Sequence, residues 1–193
     1  MSLHVQVALS LPEWVHAQVD TGHAYPGDES KVALAIELSR LNIEAGSGGP
    51  FGAVVFDAAN DRIVSVGVNR VLPQHCSVAH AETMACMLAQ QRLQRARMNR
   101  DLDDNIVGRY VLATSSQPCC QCYGATVWAG IDRLLIGARS EDVEALTEFD
   151  EGPLPADWVG ELERRGIEVV RDLHRDAARE VLRRYGQSDA RRY

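Results

Sequence analysis

Two short motifs constrain this chain more than anything else in it: His80-Ala81-Glu82 and, further along, Pro118-Cys119-Cys120-Gln121-Cys122. One imidazole and two thiolates are suitable zinc ligands. Three protein ligands leave the fourth tetrahedral position for water, the arrangement of a catalytic zinc site. Cys119 and Cys122 stand three residues apart, so the first turn of a helix carries both sulfurs on one side. The positive end of that helix favours their thiolate form. His80 falls at the start of the preceding helix, so the fold has to bring two helix N-termini to one metal. Glu82, two residues beyond His80, can stand beside that metal without binding it and move protons to and from the water.

Other readings of these residues are weaker. A lone CxxC is also a redox pair, but that reading leaves His80 and Glu82 without a purpose. A purely structural site with Cys76 or Cys120 as fourth ligand would have no need of Glu82. Cys120 lies between the two ligands and is expected to point away, and Cys86 reads as core. His4, His16, His23, His75 and His174 carry no ligand spacing. Five cysteines with three of them crowded together speak against a disulfide framework.

The surrounding pattern reads as one domain, residues 28–193, behind an N-terminal extension, residues 1–27. Pro12 opens a short helix through Trp14 and Val15. Asp28-Glu29-Ser30 caps a helix over about 30–45. Strands at 52–57 and 63–69 flank a turn, Ala58-Ala59-Asn60-Asp61. A helix over about 79–97, a strand at 109–114, a helix from Pro118 to Ala129 and a strand at 133–138 follow. A short helix opens at Ser140. A second, at 157–165, leads to a strand at 167–171 and a closing helix at 175–185. A hairpin followed by alternating helices and strands argues for an α/β sandwich with a mixed sheet. The helical crossover between the last two strands makes them parallel.

Net charge is −7, which disfavours a broad nucleic-acid surface. The arginines from Arg171 to Arg192 alternate with acids and read as a solvated helix face. No apolar run is long enough for a membrane span. The first twenty residues lack a secretory pattern, so the chain reads as cytosolic.

The H-x-E…P-C-x-x-C pattern is the signature of zinc deaminases that act on nucleobases. On that pattern the chain resembles the cytidine and deoxycytidylate deaminase-like superfamily. Within it the chain is similar to bacterial guanine deaminases of the small cytidine-deaminase-like fold. The resemblance covers about residues 28–186. It rests also on Gly48-Gly49-Pro50-Phe51-Gly52-Ala53, Gly67-Val68-Asn69, Trp128, Asp142-Val143-Glu144-Ala145 and Phe149-Asp150-Glu151-Gly152. It implies a three-layer sandwich with a five-stranded sheet of order 2-1-3-4-5, one zinc per chain and a homodimer. It implies that Asn69 hydrogen-bonds a base, that Phe51 lines or stacks on it, and that the Ala81 backbone N–H faces a ring carbonyl. Trp128 goes with the same substrate-binding set. Glu144 is favoured over Asp142 as a second proton shuttle, and Tyr185 or Tyr193 is a candidate lid. One departure stands out. The branch has a glycine directly before its Phe-Asp pair, whereas here Leu146-Thr147-Glu148 precedes Phe149, one residue longer and without that glycine.

These features imply a hydrolase that replaces an amino group on a nucleobase-like small molecule with a carbonyl, guanine to xanthine first among the candidates. Cytosine, a pterin, an aminotriazine, guanosine or cytidine would use the same chemistry. A tRNA adenosine deaminase shares both motifs but fits the acidic charge poorly. A non-catalytic zinc module would not need Glu82.

Overall fold

The computed structural model describes residues 3–189. A short helix, α1 (Trp14–Gln18), precedes α2 (Asp28–Glu44) and the hairpin of β1 (Gly52–Asp57) and β2 (Arg62–Val68). Next come α3 (Ala81–Leu93), β3 (Tyr110–Ser116), α4 (Cys120–Ala129) and β4 (Arg133–Ala138). The chain continues through α5 (Ser140–Thr147), α6 (Trp158–Glu163), β5 (Glu168–Val170) and α7 (Arg175–Gly186). The strands form one sheet of order β2-β1-β3-β4-β5. β1 is antiparallel to both neighbours, and β3, β4 and β5 are mutually parallel. This is the mixed five-stranded sheet expected. α4 and then α5 with α6 supply the crossovers that parallel strands require.

Helices cover both faces, so the strands read as nearly continuous apolar runs rather than as alternation. The period-two geometry still sorts their side chains. Val54, Phe56, Val111, Ala113 and Leu135 pack toward α2, α5 and α7. Ala53, Val55, Leu112, Leu134 and Ile136 pack toward α3, α4 and α6. No helix among the described residues is long and apolar enough to cross a membrane.

The boundaries depart from the sequence expectation where local backbone geometry decides. α2 begins at Asp28 itself, with Gly27 at the N-cap and no side-chain cap. Ser30 instead donates its hydroxyl to the Pro26 and Gly27 carbonyls, at 2.7 and 3.0 Å. α3 ends at Leu93 because Gln94 turns left-handed at φ 52°. Gly52 of β1 pairs with Val68 of β2, and Ala53 with Thr114 of β3. The start of β1 and the ends of β2 and β3 therefore share one end of the sheet. The segments that leave it carry Phe51, Asn69, His80, Gln117 and Cys119.

Candidate active site

β3 ends at Ser116, and Gln117-Pro118 carries the chain to Cys119, the N-cap of α4. His80 is the N-cap of α3. The two helix starts meet. The Cys119 Sγ lies 3.4 Å from His80 Nδ1, and one ligand atom each from His80, Cys119 and Cys122 falls within 4.8 Å of the others. Zinc takes sulfur at about 2.3 Å and imidazole nitrogen at about 2.0 Å, tetrahedrally, and these atoms can occupy three corners of such a shell. Cys120 is exposed, and neither it nor Cys76 joins the group. Cys86 is buried, and its thiol is pushed up to about 12, chiefly by burial. The residues therefore fit zinc with one position left over, and zinc is the cofactor of this site.

The two sulfurs are electrostatically coupled to each other. The Cys122 thiol beside it, and then His80, hold Cys119 below the usual thiol range, while Cys122 is raised by that same contact and by burial. Glu82 is 6% exposed. Its Oε1 accepts from the Thr114 hydroxyl at 3.2 Å, and its Oε2 lies 3.4 Å from Cys122 Sγ. Burial, helped by the Cys119 charge, pushes its carboxyl up. A carboxyl held beside the metal-fitting triad without joining it is placed for repeated proton transfer.

A cavity of about 220 Å3 opens onto this group, lined by Phe51, Asn69, His80, Glu82, Gln117, Cys119, Phe149, Asp150 and Glu151. Asn69 is 1% exposed, and its Oδ1 accepts from the Gly49 and Val71 N–H groups at 3.3 Å each. Glu151 is buried, and burial together with the Cys119 and Glu82 charges takes its carboxyl up to about 9. Its carbonyl accepts from the Cys120 N–H at 2.9 Å, which fastens the 149–152 segment to the start of α4.

The structure thus gathers His80, Glu82, Cys119, Cys122, Phe51 and Asn69, with Ala81 as the first residue of α3. Other expected residues lie elsewhere. Asp142 is buried at the start of α5, where Arg175 and Arg179 of α7 bind its carboxylate, and it is absent from the cavity wall. Glu144 is exposed and also outside that wall. Trp128 is 79% exposed, because Cys122, Thr126 and Ala129 form the buried face of α4 and the indole projects from the other side. Tyr185 is buried in the core and stacks on Phe149 at 5.8 Å, so it backs the cavity wall instead of covering the opening. Tyr193 lies outside the described residues. Gln117, Phe149, Asp150 and Glu151 line the cavity without having been singled out as site residues. The last three belong to the Phe149-Asp150-Glu151-Gly152 segment on which the resemblance already rested. Gly152 sits at φ 68°, and a Cβ there would come within 2.5 Å of Cys120 Sγ, so this segment passes tightly against the cysteine motif.

The model of the cytidine and deoxycytidylate deaminase zinc-binding region matches residues 27–138. A probable cytosine deaminase of Schizosaccharomyces pombe is 32% identical over 157 residues, 78% of this chain and 88% of that protein. The solved structure of a guanine deaminase from Nitrosomonas europaea superposes with a TM-score of 0.88 at 39% identity, over 97% of this chain and 100% of that one. A solved structure in complex with 8-azaguanine gives a TM-score of 0.87 at 38% identity, over 96% and 99% of the two chains.

Proposed function

The chain belongs to the cytidine and deoxycytidylate deaminase family, and we propose that within it this protein hydrolyses guanine to xanthine and ammonia. The observation that carries the reading is the cavity that sets the zinc-fitting triad, the buried Glu82 and the Phe51 ring around one small space. Zinc, when bound there, supplies the Lewis acidity that brings the pKa of water down to about 7. Glu82 takes the proton of the attacking water, delivers it to the ring nitrogen beside the carbon under attack, and later moves the hydroxyl proton of the resulting adduct to the amine, so that the C–N bond breaks, ammonia leaves and the carbonyl forms. Glu151 is the second shuttle, in place of Glu144 or Asp142, because it is the buried carboxyl of that region that lines the cavity. Asn69 hydrogen-bonds the base, Ala81 offers its backbone N–H to the ring carbonyl, and Phe51 lies against the ring face.

Guanine suits this set because its amino-bearing carbon sits between two ring nitrogens with a carbonyl nearby. The reading draws further support from the guanine deaminase matched over nearly the whole chain and from the 8-azaguanine held by a similar protein. We also propose a homodimer, as the family resemblance implies, with the exposed indole of Trp128 as a candidate contact. A cytosolic setting is consistent with five free cysteines.

The test is steady-state ammonia release from guanine, adenine, cytosine, guanosine, cytidine and an aminotriazine, side by side with the zinc-loaded protein. Guanine is expected to give the highest kcat/KM. Preference for cytosine or a nucleoside would overturn the guanine reading and leave the zinc-deaminase reading standing.

A further inference from the structure

We propose that the N-terminal extension and Asn42 together form a brace that positions Asn69 for base binding, an inference that rests on the reading of Asn69 given above. The brace is a continuous run of hydrogen bonds. Trp14 Nε1, on α1, donates to Ser47 Oγ at 3.0 Å. Ser47 passes its own hydroxyl hydrogen to Asn42 Oδ1 at 2.7 Å. With its oxygen so engaged, the Asn42 amide must turn its nitrogen the other way, and both N–H groups are used. They donate to the Gly49 carbonyl at 2.8 Å and the Asn69 carbonyl at 3.0 Å. Gly49 in turn donates its backbone N–H to Asn69 Oδ1 at 3.3 Å. Asn42 therefore grips Asn69 twice, directly at its backbone and through Gly49 at its side chain.

Packing leaves this arrangement little freedom. Asn42 is fully buried and Asn69 nearly so. A Cβ on Gly48 would overlap the Asn69 carbonyl oxygen and crowd Asn42 Nδ2, so only glycine lets the 47–49 segment pass between them. A buried amide with every hydrogen committed has one acceptable orientation, and loss of a partner leaves a desolvated polar group behind.

The extension also holds the far flank of Asn69. The Ser10 carbonyl accepts from Arg70 Nε at 3.2 Å and from Gln74 Nε2 at 3.0 Å, and the Ser10 N–H donates to Gln74 Oε1 at 3.0 Å. Arg70 closes the circuit by donating to the Ser47 carbonyl at 2.5 Å. Residues 10–14 lie before the family-matched region, which starts at residue 27, yet they tie down both segments that flank Asn69. Asn42 and Ser47 are positioning residues: they touch Asn69 and its loop and do not line the cavity.

The experiment measures kcat and KM for guanine, the dissociation constant of 8-azaguanine, and zinc content. The variants are Trp14→Phe, Ser47→Ala, Asn42→Ala, Asn69→Ala and the double variant Asn42→Ala/Asn69→Ala. Trp14→Phe keeps an aromatic ring and removes only the indole N–H, so it serves if Asn42→Ala fails to fold. One weakened hydrogen bond corresponds to about 3- to 10-fold. Trp14→Phe and Ser47→Ala are therefore expected to raise KM and the 8-azaguanine dissociation constant by about that factor, with kcat and zinc retained. Asn42→Ala should cost more, yet add less than about twofold in the Asn69→Ala background, since coupled residues are not additive. A brace role alone is overturned if Asn69→Ala weakens binding while the Trp14 and Ser47 variants do not. It is equally overturned if the Asn42 and Asn69 effects simply add, which is what a merely structural Asn42 would give. If Asn69→Ala itself leaves kcat/KM unchanged, the Asn69 reading falls and the brace falls with it.

Discussion

Glu82 and Glu151 face one cavity and carry the proton traffic of the proposed reaction. A positioned acid–base group contributes about 10²- to 10⁴-fold. Glu82→Gln is expected to lose at least that much kcat while keeping its zinc. Glu151→Gln should lose about 10²-fold, and near-normal turnover by a zinc-replete variant would remove either residue from the mechanism. Glu82 was legible in the sequence because a metal site restricts residue type and spacing together: few arrangements other than catalysis explain a carboxyl two residues past a ligand. Glu151 was not, because six acids, Glu141, Asp142, Glu144, Glu148, Asp150 and Glu151, follow β4 within a short span, and spacing alone does not say which one folds back. Asp142 and Glu144 had the motif position, whereas Glu151 has the cavity. Gln117 carried no signal beyond standing next to Pro118.

At the level of elements, the sequence located every strand and helix, because apolar runs and breakers alternate cleanly through the chain. What it could not show was how α5 ends. Glu148 adopts φ 65°, the left-handed turn usually given to glycine, and so stops the helix without one. The chain then turns through Phe149 into the cavity wall. α5 is anchored at its other end by Asp142. Its carboxylate accepts from the Arg139 N–H at 3.0 Å and from Arg175 at 2.6 and 2.9 Å, and it also binds Arg179. Burial alone would raise this carboxyl, but Arg175 first, with the Arg139 N–H and Arg179, holds it at about 2, below its ordinary 3.8. A depressed carboxyl stabilises the fold above its unfolded pKa and loses that contribution as pH falls toward its folded value. Asp142→Asn should therefore cost about 2 kcal/mol at neutral pH, the arginines being partly solvated. In urea unfolding, the gap to the unaltered protein should narrow between about pH 4 and pH 2. A gap that stays constant through that window would contradict the assignment, as would a large fall in kcat for Asp142→Asn at pH 7.

For the whole molecule, the two-sided sheet explains why nearly every strand residue is apolar, and why the site is built at one end of the sheet from segments that leave it. The exposed Trp128 lies on α4, outside both the core and the cavity. A buried aromatic anchor at an interface is commonly worth about 2 kcal/mol or more. If the proposed homodimer forms through this indole, Trp128→Ser is expected to weaken self-association at least tenfold in sedimentation equilibrium. An unchanged oligomeric state would show that this indole is not at a subunit interface. The central claim, that the metal triad and the cavity are one guanine-binding active site, is tested most directly by a crystal structure of the zinc-loaded protein with 8-azaguanine, with anomalous data at the zinc edge. The account predicts one zinc on His80 Nδ1, Cys119 Sγ and Cys122 Sγ, with the base against Phe51 and within hydrogen-bonding distance of Asn69 and Glu82. Zinc bound by Cys76 or Cys120, or a base seated outside the cavity, would contradict it.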